Sequence, residues 1–269
     1  MTADDDLRRR LFDEYIEERR AAPIPGFDAE VLQHFTRYLP RAGDGEGMVM
    51  YARIPEGEAQ RQIREQVEFF ASRNLPIEWK VYDLDRPGNL RSLLEAAGFA
   101  AHHDEVFMIR ALDGDDGPEG AALKGVEIRA ATADDPVIDD IVRVQQEIWD
   151  CDFPALGAQL RKALAPGSVD CAIYCAYLDG APVGTGWIDF TSGSRFADLH
   201  GGAVLEEARG RGIYTRLYRR RVEEARARGC RFLAVDAAPK SRPILQHKGF
   251  MFVCATHPMR SEPRAKRSE

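Results

Sequence analysis

Two stretches far apart in the chain read alike: "RSLLEAAGF" at 91–99 and "RPILQHKGF" at 242–250. Each holds an arginine, an aliphatic pair and Gly-Phe at equal spacing, and each leads into a strand ending Met-Ile-Arg or Met-Arg. The order of elements around them repeats as well. "MVMYARI", "EGEAQRQIREQVEFFASRN", "IEWKVYD", "NLRSLLEAAG" and "EVFMIRAL" alternate strand, helix, strand, helix, strand between 48 and 112. The end of the chain follows suit: a strand at 197–205, a helix at 212–228, the strand "RFLAVDA", a short helix begun by Ser241 with Pro243 in its first turn, and a strand after Gly249. A duplicated order of this kind predicts two related α/β domains, and 269 residues suffice for both.

The seam between them is "ALDGDDGPEGAALKG" at 111–125, where glycine, acidic residues and proline replace any periodic pattern. The expected division is a first domain at 1–115, a linker at 116–125, a second domain at 126–262 and a disordered tail at 263–269. Within the second domain "VEIRAAT" and "CAIYCAYLDGAPVGTGWIDF" read as strands, the latter folding into a hairpin at Asp179-Gly180. "DDPVIDDIVRVQQEIWD" and "ALGAQLRKAL" have helical spacing. The helix at 212–228 presents Ile213, Leu217, Tyr218, Val222 and Ala225 to one side and stops at Gly229. Its basic run "RRRVEEARARGCR" is interrupted by Glu223 and Glu224 and reads as a solvated face. Trp79 and Trp187 read as core residues of strands.

Composition narrows the partners. Lys+Arg 37 against Asp+Glu 44 give a net charge of -7, which repels a polyanion, so nucleic acid is not expected. No apolar run is long enough to cross a bilayer, so no membrane is expected. The N-terminus "MTADDDLRRRLFDEY" reads as a capped helix rather than a leader, which points to the cytoplasm. Five scattered cysteines without a CxxC pair read as buried free thiols, with no metal.

One place distinguishes the two halves. Between strand and helix the second half has "LEEARGRGIY", the first "IPEGEAQRQI". Glycines at 210 and 212 let backbone N–H groups approach a diphosphate, Arg209 and Arg211 supply charge, and the helix starting there adds its dipole. It is not a Walker loop, since no Lys-Ser/Thr follows, and the G-x-G-x-x-G spacing fails at Thr215. The anion site is therefore expected once per chain.

"AVLEEARGRGIYTRLY" followed by "SRPILQHKGFMFV" resembles the acetyl-CoA-binding core of the GNAT N-acetyltransferase superfamily. That family's Arg/Gln-x-x-Gly-x-Gly/Ala loop is matched by Arg209 and Gly212 and less well by Tyr214, which replaces a small residue. The resemblance covers 126–260 well and 48–112 more weakly. It implies a tandem protein of two GNAT-like α/β (α+β) domains, each a central mixed, largely antiparallel sheet flanked by helices, the N-terminal copy degenerate. It implies acetyl-CoA as acyl-donor substrate, with the pantetheine arm held by the main chain of Ala203, Val204 and Leu205, the diphosphate by Arg209, Gly210, Arg211, Gly212, Ile213 and Tyr214, and a bulge at Gly201-Gly202. The acceptor would be a small-molecule or peptide amine, its pocket built from 134–166, in a monomer or homodimer.

Direct transfer from a thioester to an amine needs a base for the ammonium and an acid for the thiolate. The resemblance implies Asp198 as a candidate base, eleven residues before Arg209 where several members place a catalytic Glu or His, and His200 on the same strand face is the other candidate. Many members use a tyrosine where this chain has Leu245, and an asparagine where it has Ala238, so either Tyr214 or water protonates the thiolate, or no acid is needed. Two other readings stay open: a non-catalytic acyl-CoA-binding or interaction module, and an acetyltransferase of the tandem mycothiol synthase type.

Overall fold

The computed structural model describes residues 2–41, 45–114, 123–167 and 170–262. Residues 116–122 of the expected linker and the tail at 263–269 lie outside the described residues. The chain forms two compact units, one of Met1–Ile109 with Asp236–Glu269, the other of Arg110–Val235.

The first unit opens with α1 (Ala3–Arg19), started by a capping box. The Thr2 hydroxyl accepts from the Asp5 N–H at 3.2 Å, and the Asp5 carboxylate accepts from the Thr2 N–H at 3.0 Å. A hairpin of β1 (Phe27–Val31) and β2 (Thr36–Pro40) follows, which the sequence reading did not anticipate. Then β3 (Gly47–Met50) crosses through α2 (Ala59–Ala71) to its parallel partner β4 (Ile77–Tyr82). After α3 (Leu90–Ala96) come β5 (Ala100–Ala101) and β6 (Glu105–Ala111). Trp79 is buried at the centre of this unit's core with Phe35, Ile63, Phe70 and Leu94. Beyond β3 the backbone is engaged by the loop after β4. Arg86 N–H donates to Ala52 O at 3.2 Å, and Ile54 N–H donates to Arg86 O at 2.9 Å.

The second unit has β7 (Val126–Ala130), α4 (Val137–Trp149), α5 (Leu156–Leu164), β8 (Asp170–Leu178), β9 (Ala181–Phe190), β10 (Phe196–Val204), α6 (Ile213–Ala227) and β11 (Phe232–Ala237). Its strands lie in the order β7-β8-β9-β10-β11, antiparallel except for the parallel pair β10 and β11. Asp179 and Gly180, with φ of 49° and 87°, make the expected tight hairpin. Alternate residues of β8 serve opposite faces. Ile173, Cys175 and Tyr177 pack with Ile138, Ile141 and Leu160, while Tyr174 and Ala176 pack with Ile213 and Leu217 of α6.

The chain then returns to the first unit with α7 (Arg242–His247) and β12 (Met251–Ser261). β12 pairs antiparallel with β4 on one side and β6 on the other. The expected second domain at 126–262 includes this strand, whereas the fold assigns it to the first unit; a strand's local pattern carries no record of its partner. Ser241 makes no side-chain cap, and α7 instead grows from the 3-10 turn Pro239–Ser241. The two similar stretches end their helices identically: Phe99 N–H bonds Leu94 O and Phe250 N–H bonds Leu245 O, both at 3.0 Å, across Gly98 and Gly249 with positive φ.

Candidate active site

β10 is irregular in its middle. Against β9, His200 pairs with Trp187 and Ala203 with Thr185, so Gly201 and Gly202 oppose the single residue Gly186. Gly201 has φ 56°, and a Cβ there would lie 1.8 Å from the Trp187 ring. No other residue fits this position without displacing the indole. The bulge is also anchored. Gly201 O accepts from Thr185 Oγ1 at 2.7 Å and from Gln145 Nε2 of α4 at 3.0 Å, and the exposed Trp149 donates its indole N–H to Gln145 Oε1 at 3.1 Å.

On its other edge β10 pairs with β11 only from Phe196 to Asp198, although it runs on to Val204. The backbone from Leu199 to Val204 thus has an edge without a strand partner among the described residues, ready to bond an extended ligand. The chain leaves β10 with Leu205 N–H on Val183 O at 2.9 Å, makes the 3-10 turn Glu206–Ala208, and enters the glycine-arginine loop. Arg209 Nε bonds back to Val204 O at 3.2 Å. Gly210 and Gly212 both take left-handed φ, 74° and 79°, and Gly212 caps α6. Arg209, Gly210, Arg211 and Gly212 are exposed, whereas Ile213 is buried under the first turn and Tyr214 is half-buried. Four exposed residues at the N-terminus of a fifteen-residue helix suit an anion. A cleft of about 580 Å³ between β7 and α6 meets this loop at Gly212 and is lined further on by Arg216, Arg219 and Arg220.

The bulge divides the remaining candidates. Asp198 and His200 stand on the side of β10 shared with Trp187, His200 stacking on that ring and lying 3.4 Å from Asp189. Asp198 is 5% exposed, and the His200 side chain 45%. Tyr214 comes from the other side: a Cβ on Gly202 would lie 3.5 Å from its ring. Loop and strand residues are therefore contiguous, but the bases and Tyr214 flank the strand from opposite sides. Leu245, at the position where a tyrosine was sought, is a buried core residue.

Sequence reasoning missed Gln145 and Thr185, which hold the bulge, and it misplaced Arg221. That arginine is not part of a solvated face; it is 1% exposed. Its signal was present, since Arg221 follows Ile213 and Leu217 at steps of four, one face of a helix. The cysteines also divide: Cys175 and Cys254 are buried, Cys171 and Cys230 intermediate, and Cys151 is exposed, contrary to the expectation of buried thiols throughout. Cys151 sits just past the left-handed end of α4 at Asp150, where the chain turns at the surface. Burial pushes the Cys175 thiol up to about 12. No group of residues able to hold a metal occurs among the described residues, and no helix among them is long and apolar enough to cross a membrane.

The profile of the Acetyltransferase (GNAT) family matches residues 138–250. No curated protein sequence matches significantly. Among solved structures, the chain is similar to a GCN5-related N-acetyltransferase from Kribbella flavida, at 13% identity over 97% of each chain with a TM-score of 0.64. It is similar to a tandem GNAT protein from the clavulanic acid biosynthesis pathway, at 15% identity over 99% of this chain and 98% of that one with a TM-score of 0.62. A GCN5-related N-acetyltransferase from Sphaerobacter thermophilus matches at 17% identity over 88% and 82%, with a TM-score of 0.58. At these identities the likeness carries the fold, and the profile match makes residues 138–250 similar to the GNAT acetyltransferase family.

Proposed function

We propose that the protein transfers the acetyl group of acetyl-CoA directly to a primary amine, binding one acetyl-CoA per chain in the second unit. The observation that carries this reading is the open edge of β10 running from its bulge into the exposed loop at Arg209–Gly212. The main chain of Ala203, Val204 and Leu205 would hold the pantetheine arm, and Arg209, Gly210, Arg211, Gly212, Ile213 and Tyr214 the diphosphate. Asp198 or His200, on the side of β10 that faces Trp187, would take the proton of the attacking amine directly or through water.

The first unit is read as a degenerate copy without a second acetyl-CoA. Its matching stretch, Ala52–Ile54, is bonded to Arg86 where β10 is open. Before α2 it has Glu56 and Glu58 instead of arginines.

Calorimetric titration with acetyl-CoA tests the reading, alongside Gly212→Leu, whose side chain would meet Leu123 at 3.4 Å from its first carbon in a left-handed backbone. One site per chain, lost in the variant, is expected. No binding by the unmodified protein overturns the reading. Binding without turnover against a panel of amines, amino-sugar conjugates included, leaves the acyl-CoA-binding module, which the buried Leu245 favours.

A further inference from the structure

Arg221 is the most deeply buried charge of the second unit, at 1% exposure. Its Nε donates to Leu217 O at 3.1 Å, one turn back on α6, and Nη1 reaches His200 O at 3.5 Å. Nη2 is buried with no hydrogen-bond partner among the described residues, and no carboxylate there pairs with the guanidinium. Room for it is made by two glycines: a Cβ on Gly186 would lie 2.9 Å from Arg221 Cζ, and one on Gly202 3.2 Å from Nη2. Tyr214 lies beside it, since the same Cβ on Gly202 would come within 3.5 Å of the Tyr214 ring, and Tyr214, Tyr218 and Tyr174 all favour its charged form. Tyr218 also accepts from Arg110, so a second cation stands beyond it. Burial lowers the affinity of Arg221 for its proton, and the tyrosines oppose that.

A buried cation left without a counter-ion is destabilising, and an apolar residue of the same size would usually serve stability as well or better. Its position speaks for another use. Gly202 is exposed, so the guanidinium lies one backbone thickness beneath the bulge where the strand edge opens.

Resting on the acetyltransferase reading, we infer that Arg221 is the fixed positive charge that meets the leaving thiolate, acting through Tyr214, in place of the tyrosine that Leu245 replaces. The amine nitrogen attacks the thioester carbonyl, the C–N bond forms and the C–S bond breaks with its electron pair on sulfur. The sulfur takes the phenol proton of Tyr214, and the phenolate rests against Arg221 until water reprotonates it. The surplus proton of the amine leaves on the Asp198 and His200 side. Tyr214 is thus the catalytic residue and Arg221 its positioning residue.

Two measurements test this in a Cys151→Ser background, which removes the exposed protein thiol. The first needs no acceptor: the thiol of bound CoA is titrated by the ultraviolet absorbance of its thiolate. The expected pKa lies at least about one unit lower on the parent protein than on Arg221→Met. The second compares kcat, with Arg221→Met expected to lose about a hundredfold at nearly unchanged KM for acetyl-CoA. Arg221→Lys should recover part of it, and Arg221→Met should cost nothing further on top of Tyr214→Phe. Arg221→Met is expected to melt no lower than the parent. An unshifted CoA thiol, or kcat losses that follow melting temperature and add to those of Tyr214→Phe, would make Arg221 structural and overturn the inference alone. Failure of CoA to bind at all would instead strike the acetyltransferase reading.

Discussion

Gln145, a buried side chain of α4, donates to the carbonyl of Gly201 at 3.0 Å and to Thr185 Oγ1 at 2.6 Å. A helix residue therefore fixes where β10 stops being a regular strand. Gln145→Leu should lower stability by about 1–2 kcal/mol, because Gly201 O loses one of two buried donors. On the proposed function, acetyl-CoA affinity should fall severalfold with it. Denaturant melts and calorimetry check both, and an unchanged affinity would show that the bulge holds its form without the helix.

Gly201→Ala should be far worse than Gly210→Ala. The first pushes a methyl into the Trp187 ring at 1.8 Å from a left-handed backbone. A loss of about 3 kcal/mol or more is expected from overpacking and strain together. At Gly210 nothing lies within 4 Å, so only the backbone penalty of about 1 kcal/mol remains. Equal melting temperatures for the two variants would contradict the close approach of Trp187.

Asp85 supplies a pH test in the first unit. Burial pushes its carboxyl up to about 8, against the opposing pull of the Tyr82 N–H at 2.9 Å and of Arg53 at 3.4 Å. Between about pH 4 and pH 8 the unfolded chain gives up this proton while the folded one keeps it. The contribution of Asp85 to stability is therefore full below pH 4 and declines as pH rises, by at most about 1.4 kcal/mol per unit, levelling off above pH 8. Subtracting the Asp85→Asn stability profile from that of the parent should expose this slope, and two parallel profiles would exclude it.

A chromogenic disulfide reagent should find one fast thiol in the native protein, that of exposed Cys151, and Cys151→Ser should remove the fast phase. Cys175 and Cys254, buried with raised thiol pKa values, should react only on unfolding. A fast phase surviving in the variant would place another cysteine at the surface.

Much of this was legible locally. The glycine-arginine loop, the face of α6 and the hairpin at Asp179-Gly180 follow from residue types at short spacing, the bulge at Gly201-Gly202 came from the family resemblance, and the structure has each. The hairpin of β1 and β2 escaped because its strands mix charges with apolar residues and are half exposed. Arg221 escaped because three consecutive arginines read as solvent-facing, although its four-residue spacing from Leu217 said otherwise. Gln145 could not be assigned, since its partners, Thr185 and Gly201, lie 40 and 56 residues away.

The return of β12 to the first unit has a consequence for how the protein is made. The strand that lies between β4 and β6 leaves the ribosome only after the whole of Arg110–Val235 has been synthesised. Until then β4 and β6 lack the strand that joins them, and their unpaired backbone is open to wrong neighbours. The second unit is complete in sequence at Val235 and can settle first, so the part encoded earlier is the part that finishes later. A gene cut at the linker would leave the early half without its closing strand.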